Sequence, residues 1–387
     1  MNKNIKYFDG LNGLRFLAAF LVLLHHAESI RSNYQLSNFK EFSLFNNGGV
    51  AVSFFFVLSG FLITYLILKE KNQTQGLSIR KFYIRRILRI WPLYYLVVIV
   101  GTIIVPAVLH YVHSPVEIPY SFSEVILYYV FFAPFMVNLF YGHHLLEPLW
   151  SIGVEEIFYL IWAPLFKFVK KNYVLLIISL IFIKTAFWFF LLRYYPDGNL
   201  YQIFCWLQFE AMAIGGYGAN YIYHLNKDVS NFKVFSKPFQ LILFCFLIAR
   251  FTLFRFLIEQ SEIFKYIFTT PIFSNLLMSV IFLWLIINIS LNNKRLINLN
   301  YGIFNFLGEI SYGVYMYHMF VIFFIVLIFG DLFNGFGIVI STLLFYLTLT
   351  LSVIFVAWLS KKFFENRFLK LKSHFQSISI ISLDEKK

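Results

Sequence analysis

The sequence predicts an all-α, polytopic membrane protein with ten transmembrane helices and both termini in the cytoplasm. Composition is the first reason: of 387 residues, 60% are hydrophobic, 21% aromatic and only 13% charged, more apolar surface than a soluble core can hide. The second is rhythm. Apolar runs recur at near-regular intervals, each long enough to cross a ~30 Å hydrocarbon layer at about 1.5 Å per residue. The third is sidedness: twenty-four of the 32 Lys and Arg fall on one set of loops and tails, against Arg31, Lys40, Arg193 and Lys265 on the other. Cytoplasmic loops collect cations, so the N-terminus lies inside. The net charge of +13 then belongs to inner loops, and no nucleic-acid partner is expected.

The first 24 residues imitate a signal peptide, with Lys3 and Lys6 before an apolar run. That run ends in His25-His26-Ala27-Glu28 without a small-x-small cleavage site, so 11–28 is the first span. At 100° per residue, Arg15, Ala19, Val22 and His26 share one stripe of it, and His25 points elsewhere. A lone histidine in an apolar helix is commonly a satisfied core group, but ionisable residues within a membrane favour function.

Spans follow at 50–68 and 87–109. At the inner end of the third lies YIRRILRIWP, where Arg85 and Arg86 stand four and three residues before Arg89 on one helical face. This face reads as a topology anchor or as a phosphate clamp, since guanidinium forks match phosphate oxygens two at a time. The apolar run 122–141 contains Pro134 and Asn138. It is expected as a surface or re-entrant segment, because a span there would invert the sidedness of every later loop.

Further spans are expected at 149–168, 173–192, 203–224, 238–258, 270–290, 303–328 and 336–360. Helical rise places His26, Glu155 and His318 each about 22 Å above the inner face, one shared level in the outer half of the bilayer. Ser311, Tyr315 and His318 share a face at i, i+4 and i+7; acceptor binding or a hydroxyl relay is one reading and polar packing between helices the other. Lys184, Glu210, Arg250 and Arg255 are functional or mutually paired. Cys205 and Cys245 sit in apolar runs, and His143-His144 lacks ligand partners, so no metal is expected. Residues 1–372 form one transmembrane domain and 373–387 a cytoplasmic tail.

Five landmarks, in order, carry a resemblance: LNGLRFLAAFLVLLHH (11–26), GVAVSFFFVLSGFLI (49–63), FYIRRILRIWPLYY (82–95), LWSIGVEEIFYLIWAP (149–164) and FLGEISYGVYMYH (306–318). Over nearly its whole length the chain resembles the acyltransferase-3 family of bacterial membrane O-acyltransferases. It departs at Asn12, where an aspartate commonly precedes Gly-Leu-Arg, and it lacks the periplasmic esterase-like domain of some members, so a standalone transferase is expected. The resemblance implies transfer of an acyl group, commonly acetyl, from cytoplasmic acyl-CoA to a carbohydrate hydroxyl across the inner membrane. The family's first-span arginine and histidine fall on Arg15 and His26, its Arg-x-x-Arg pair on Arg86 and Arg89, and its glutamate on Glu155.

The residues suit that chemistry. A sugar hydroxyl attacks a thioester once a base takes its proton, and a neutral imidazole does so near pH 7. His26 is expected as that base and Glu155 as the carboxylate orienting it. Arg86 and Arg89 hold the CoA phosphates, with Arg15 lining the conduit or pairing with Glu309. Acyl-CoA is the expected co-substrate, and glycan-assembly proteins the expected partners besides the carbohydrate and the bilayer. Two rivals stand beside this: a transporter or flippase of lipid-linked glycan, and a non-catalytic membrane subunit of a glycan-assembly complex.

Overall fold

Lipid offers backbone N–H and C=O groups no partners, so apolar runs of this length must satisfy their own hydrogen bonds as helices. The computed structural model describes residues 8–113, 116, 118–169, 172–225 and 227–375, and these form helices and no strands. Lys3, Lys6, Lys170, Lys171 and the tail beyond Phe375 lie outside the described residues.

The first helix is α1 (Leu11–Asn33), followed by α2 (Gly48–Thr74). Next, α3 (Ile79–Ile99) continues through a π-helical turn into α4 (Val105–Tyr111). The 122–141 run forms two short helices, α5 (Phe122–Val130) and α6 (Pro134–Tyr141), neither long enough to cross. Then come α7 (Trp150–Phe168), α8 (Tyr173–Tyr194), α9 (Asn199–Trp206) and α10 (Phe209–His224). After α11 (Lys237–Thr252) and α12 (Phe254–Gln260) comes the short α13 (Glu262–Thr269). The chain closes with α14 (Pro271–Leu291), α15 (Gly302–Asn334), α16 (Ile338–Ser360) and α17 (Asn366–Ser373).

Among the described residues, eight helices are long and apolar enough to span a membrane, or nine if α11 and α12, bent by 90° to each other, count as one. The expected ten is not reached by this measure, and the run at 203–224 is the reason. That run breaks at Leu207–Gln208, where Ser53 Oγ donates to the Gln208 side chain across 2.6 Å, leaving α10 only 16 residues long.

Close backbone approach sets the packing. A Cβ on Gly60 would lie 1.9 Å from the Met212 carbonyl oxygen and one on Gly215 2.0 Å from that of Val57. Only glycines let α2 and α10 meet this closely, as small residues do at membrane helix contacts. Gly308 gives α15 the same intimacy with Asn12 of α1.

Contact pairs fix the relative directions. Asn12 meets Gly308 and His26 meets His318, so α1 and α15 run parallel. Phe56 meets Trp150, and Thr64 accepts from Trp162, so α2 and α7 are parallel too. Gly48 abuts His25 while Phe8 packs on Phe61 and Tyr65, setting α1 against α2. Tyr83 donates to Leu160 and Trp91 to Glu156, setting α3 against α7. The expected spans one, two, three, four and nine alternate accordingly.

Candidate active site

The helices α1, α2, α3, α7 and α15 enclose a cavity of about 410 Å³. It runs beside α2 from Lys69 to Phe55, about 21 Å at helical rise. One end is cationic: Arg86 and Arg89 of α3 line it together with Lys69, with Arg15 of α1 also in the wall. Arg86 Nε is enclosed and has no hydrogen-bond partner among the described atoms, an arrangement that buried donors normally avoid. Its guanidinium carbon lies 5.8 Å from the Phe82 and Tyr159 ring centres. Neighbouring Arg85 pairs with Glu70 at 2.7 Å. Arg15 donates to Asn12 across 2.9 Å, and Glu309 is exposed.

Midway along the wall, Tyr159 donates to Glu155 at 2.9 Å, and its hydroxyl also hydrogen-bonds Ser59 of α2. Sequence reasoning missed Ser59 and Tyr159. The signal was present for the second: Tyr159 follows Glu155 by four residues and shares its helical face. Beside them Glu156 turns to α3 and accepts from Trp91 at 3.0 Å.

The other end is neutral and hydroxyl-rich. Tyr315 Oη meets Ser151 Oγ at 2.7 Å and donates to the Pro148 carbonyl at 3.0 Å. Ser311, which also lines the cavity, donates to the Gly308 carbonyl. Behind Tyr315 stand the imidazoles. His318 lies 5.7 Å from the Tyr315 ring and 5.3 Å from the ring of His26, which in turn lies 5.1 Å from that of His25.

Two of these tautomers follow from their partners. His318 Nδ1 is bonded to the Tyr315 carbonyl and His25 Nδ1 to the Phe45 carbonyl. A carbonyl only accepts, so both Nδ1 atoms carry a proton, and Nε2 is the nitrogen left to accept one when the ring is neutral. His318 Nε2 is enclosed without a partner among the described atoms.

The structure corrects one pairing. Glu155 lines the cavity and is bonded by Tyr159, whereas His26 does not line it and has His25 and His318 as ring neighbours. Glu155 therefore does not orient His26. The shared level fails for the same reason. Ser151 meets Tyr315, so Glu155 stands one turn to the cationic side of that contact and His318 almost one turn to the other, a separation of about 10 Å along the axis. The chain leading into α7 is buried at Pro148 and Leu149, with the Pro148 carbonyl held by Tyr315.

The remaining intramembrane charges find partners away from this cavity. Lys184 pairs with Glu210, joining α8 to α10. Arg250 donates to Asn47 at 3.0 Å and lies 3.8 Å from the Phe254 ring centre. Arg255 pairs with Glu41 at the surface.

Comparison with known proteins places this geometry in a family. Residues 8–361 match the family described as acyltransferase domain. The chain is 32% identical over 170 residues to the peptidoglycan O-acetyltransferase OatA of Listeria monocytogenes, covering 43% of this chain and 25% of that protein. It is 30% identical over 209 residues to YrhL of Bacillus subtilis, provisionally named for the same activity, covering 51% of this chain and 30% of that one. The chain thus spans under a third of the length of these curated relatives. No solved structure matches it. A multi-pass helical bundle matched from Phe8 to Lys361 belongs to the membrane acyltransferase family.

Proposed function

We propose that this protein moves an acyl group, acetyl by preference, from a cytoplasmic acyl-CoA to a hydroxyl of a cell-envelope carbohydrate, in the bacterial cytoplasmic membrane. One observation carries the reading: a single cavity has guanidinium groups at one end and hydroxyls at the other, with the His318 and His26 imidazoles behind Tyr315. The first end suits the phosphates of a nucleotide thioester. The second suits the deprotonation of an alcohol. The names of the relatives favour a peptidoglycan sugar as acceptor, and glycan-assembly proteins as partners supply it.

In this mechanism Arg86 and Arg89 hold the donor phosphates, and the pantetheine arm lies along α2 past Arg15, Ser59 and Glu155. Ser311 and Tyr315 bound the acceptor end. The base is the His26–His318 pair: the acceptor O–H bond breaks, its proton goes to an imidazole nitrogen, and the oxygen bonds to the acyl carbon. The C–S bond then breaks, and the imidazolium returns the proton to the CoA thiolate. Proton transfer of this kind is worth about 10²–10⁴ in rate.

The test is thioester consumption by the purified protein with acetyl-CoA, joined to mass spectrometry of envelope glycans from cells with and without it. The expected result is thiol release and a 42 Da addition, the mass of one acetyl in place of a hydrogen, that disappears with the protein. Transport of a lipid-linked glycan with no thioester consumed overturns the proposal.

A further inference from the structure

The segment that follows the last long helix packs back on the bundle. Past Ser360 the last long helix continues through a π-helical turn, Lys361–Glu365, into α17. Arg85 of α3 reaches out to it and donates to the Phe375 carbonyl at 3.0 Å, strapping α17 across the cationic end of α3. This brings Lys372 within Coulombic range of Arg85, Arg86, Arg89 and Lys361.

Like charges repel, and most so where protein displaces water. Arg85 is answered by Glu70. Lys372 and Arg86 have no ion pair among the described residues, and Arg86 Nε is enclosed with no hydrogen-bond partner among the described atoms. Half-buried cations gathered around an open donor fit a multivalent anion, and Arg86 and Arg89 already line the cavity wall.

We infer that Lys372, delivered by α17, completes with Arg86 and Arg89 a phosphate site for the nucleotide of the acyl donor. This deepens the acyl-CoA reading above and rests on it. The ligand chemistry is a phosphate ester, which either a nucleotide or an anionic lipid headgroup carries, and continuity with the cavity favours the nucleotide. Lys372 thus lies at the far end of the donor from the thioester, where it affects binding and not the reacting atoms.

The experiment measures CoA binding to the purified full-length protein, for wild type and for Lys372→Met, Lys372→Arg and Arg86→Gln. Loss of one charge-assisted contact weakens CoA by about tenfold or more, so Lys372→Met is expected to do so, and Lys372→Arg to stay near wild type. A second readout needs no variant: CoA should shield Lys372 from acetic anhydride in the wild-type protein, read by mass spectrometry. Unchanged affinity in Lys372→Met, or no shielding, overturns the inference. If Arg86→Gln loses CoA while Lys372→Met does not, Lys372 falls and the acyl-CoA reading stands. If wild type binds no CoA, both fall. If Lys372→Met loses only retention on phosphatidylglycerol vesicles, the site is a lipid headgroup site and the inference is overturned.

Discussion

His26 and His318 stand against each other across the α1–α15 contact, ring centres 5.3 Å apart and planes tilted by 42°. His25 flanks His26 and the Tyr315 carbonyl holds His318 Nδ1, and the two facing rings are expected to act as a unit. His26→Ala and His318→Ala should each lower acyl transfer by about 10²–10⁴-fold. The double variant should cost little more than the worse single one, since residues acting together are not additive. Base-released acetate from envelope glycans is the measurement, with membrane insertion checked in parallel.

Tyr159 ties two helices through one hydroxyl, bonding Ser59 of α2 and Glu155 of its own helix. Tyr159→Phe leaves that buried carboxylate and serine without their shared partner. The expected loss is about 1–3 kcal/mol of stability, visible as a lower melting temperature in detergent.

Gly60 faces the Met212 carbonyl, where a Cβ would come within 1.9 Å. A backbone atom cannot swing aside, so Gly60→Ala must push α2 and α10 apart. Overpacking of this kind costs about 1–3 kcal/mol or more. A Gly76→Ala control, with open space around it, should melt like wild type.

The buried Lys184–Glu210 pair joins α8 to α10. Glu210→Ala strands an ammonium in an apolar wall and should cost about 3–5 kcal/mol. Replacing both, as Lys184→Met with Glu210→Leu, should recover most of that. A double variant no better than the single would show that the pair does more than neutralise itself.

His144, in the loop before α7, packs against the Tyr120 ring and accepts from the Leu146 amide at 3.1 Å. Burial, with the charge of nearby His143 adding to it, pushes its imidazole down to about 3 from the ordinary 6.5. The unfolded chain therefore takes up a proton as pH falls below 6.5 while the folded one does not until about 3. Stability from this group is complete above pH 6.5 and declines between 6.5 and 3. Melting temperatures from pH 7.5 to 5 should fall, and His144→Gln should flatten that slope.

Much of the site was legible in the sequence because helical phase is arithmetic. The stripe from Arg15 to His26 needs only 100° per residue, and Ala19 and Val22 on it are indeed buried. Depth was harder, since it depends on where a helix begins relative to its neighbours. The start of α7 is sunk beneath Tyr315, which moved Glu155 away from the histidines. Gln208 in the 203–224 run was a visible break signal, and its capture by Ser53 accompanies the break between α9 and α10. Lys372 could not be placed from local pattern, because long-range packing of α17 on α3, with the bond from Arg85 to Phe375, sets where that segment lies.

The glycine contact at one end of α1 and the imidazole contact near the other clamp this helix to α15 at two heights. Two such fastenings make the pair a single strut, and the two imidazoles proposed as the base sit on it. The same strut is bonded to α7 through Tyr315 and to α3 through Tyr312, so the hydroxyl-rich end of the cavity is held on three sides.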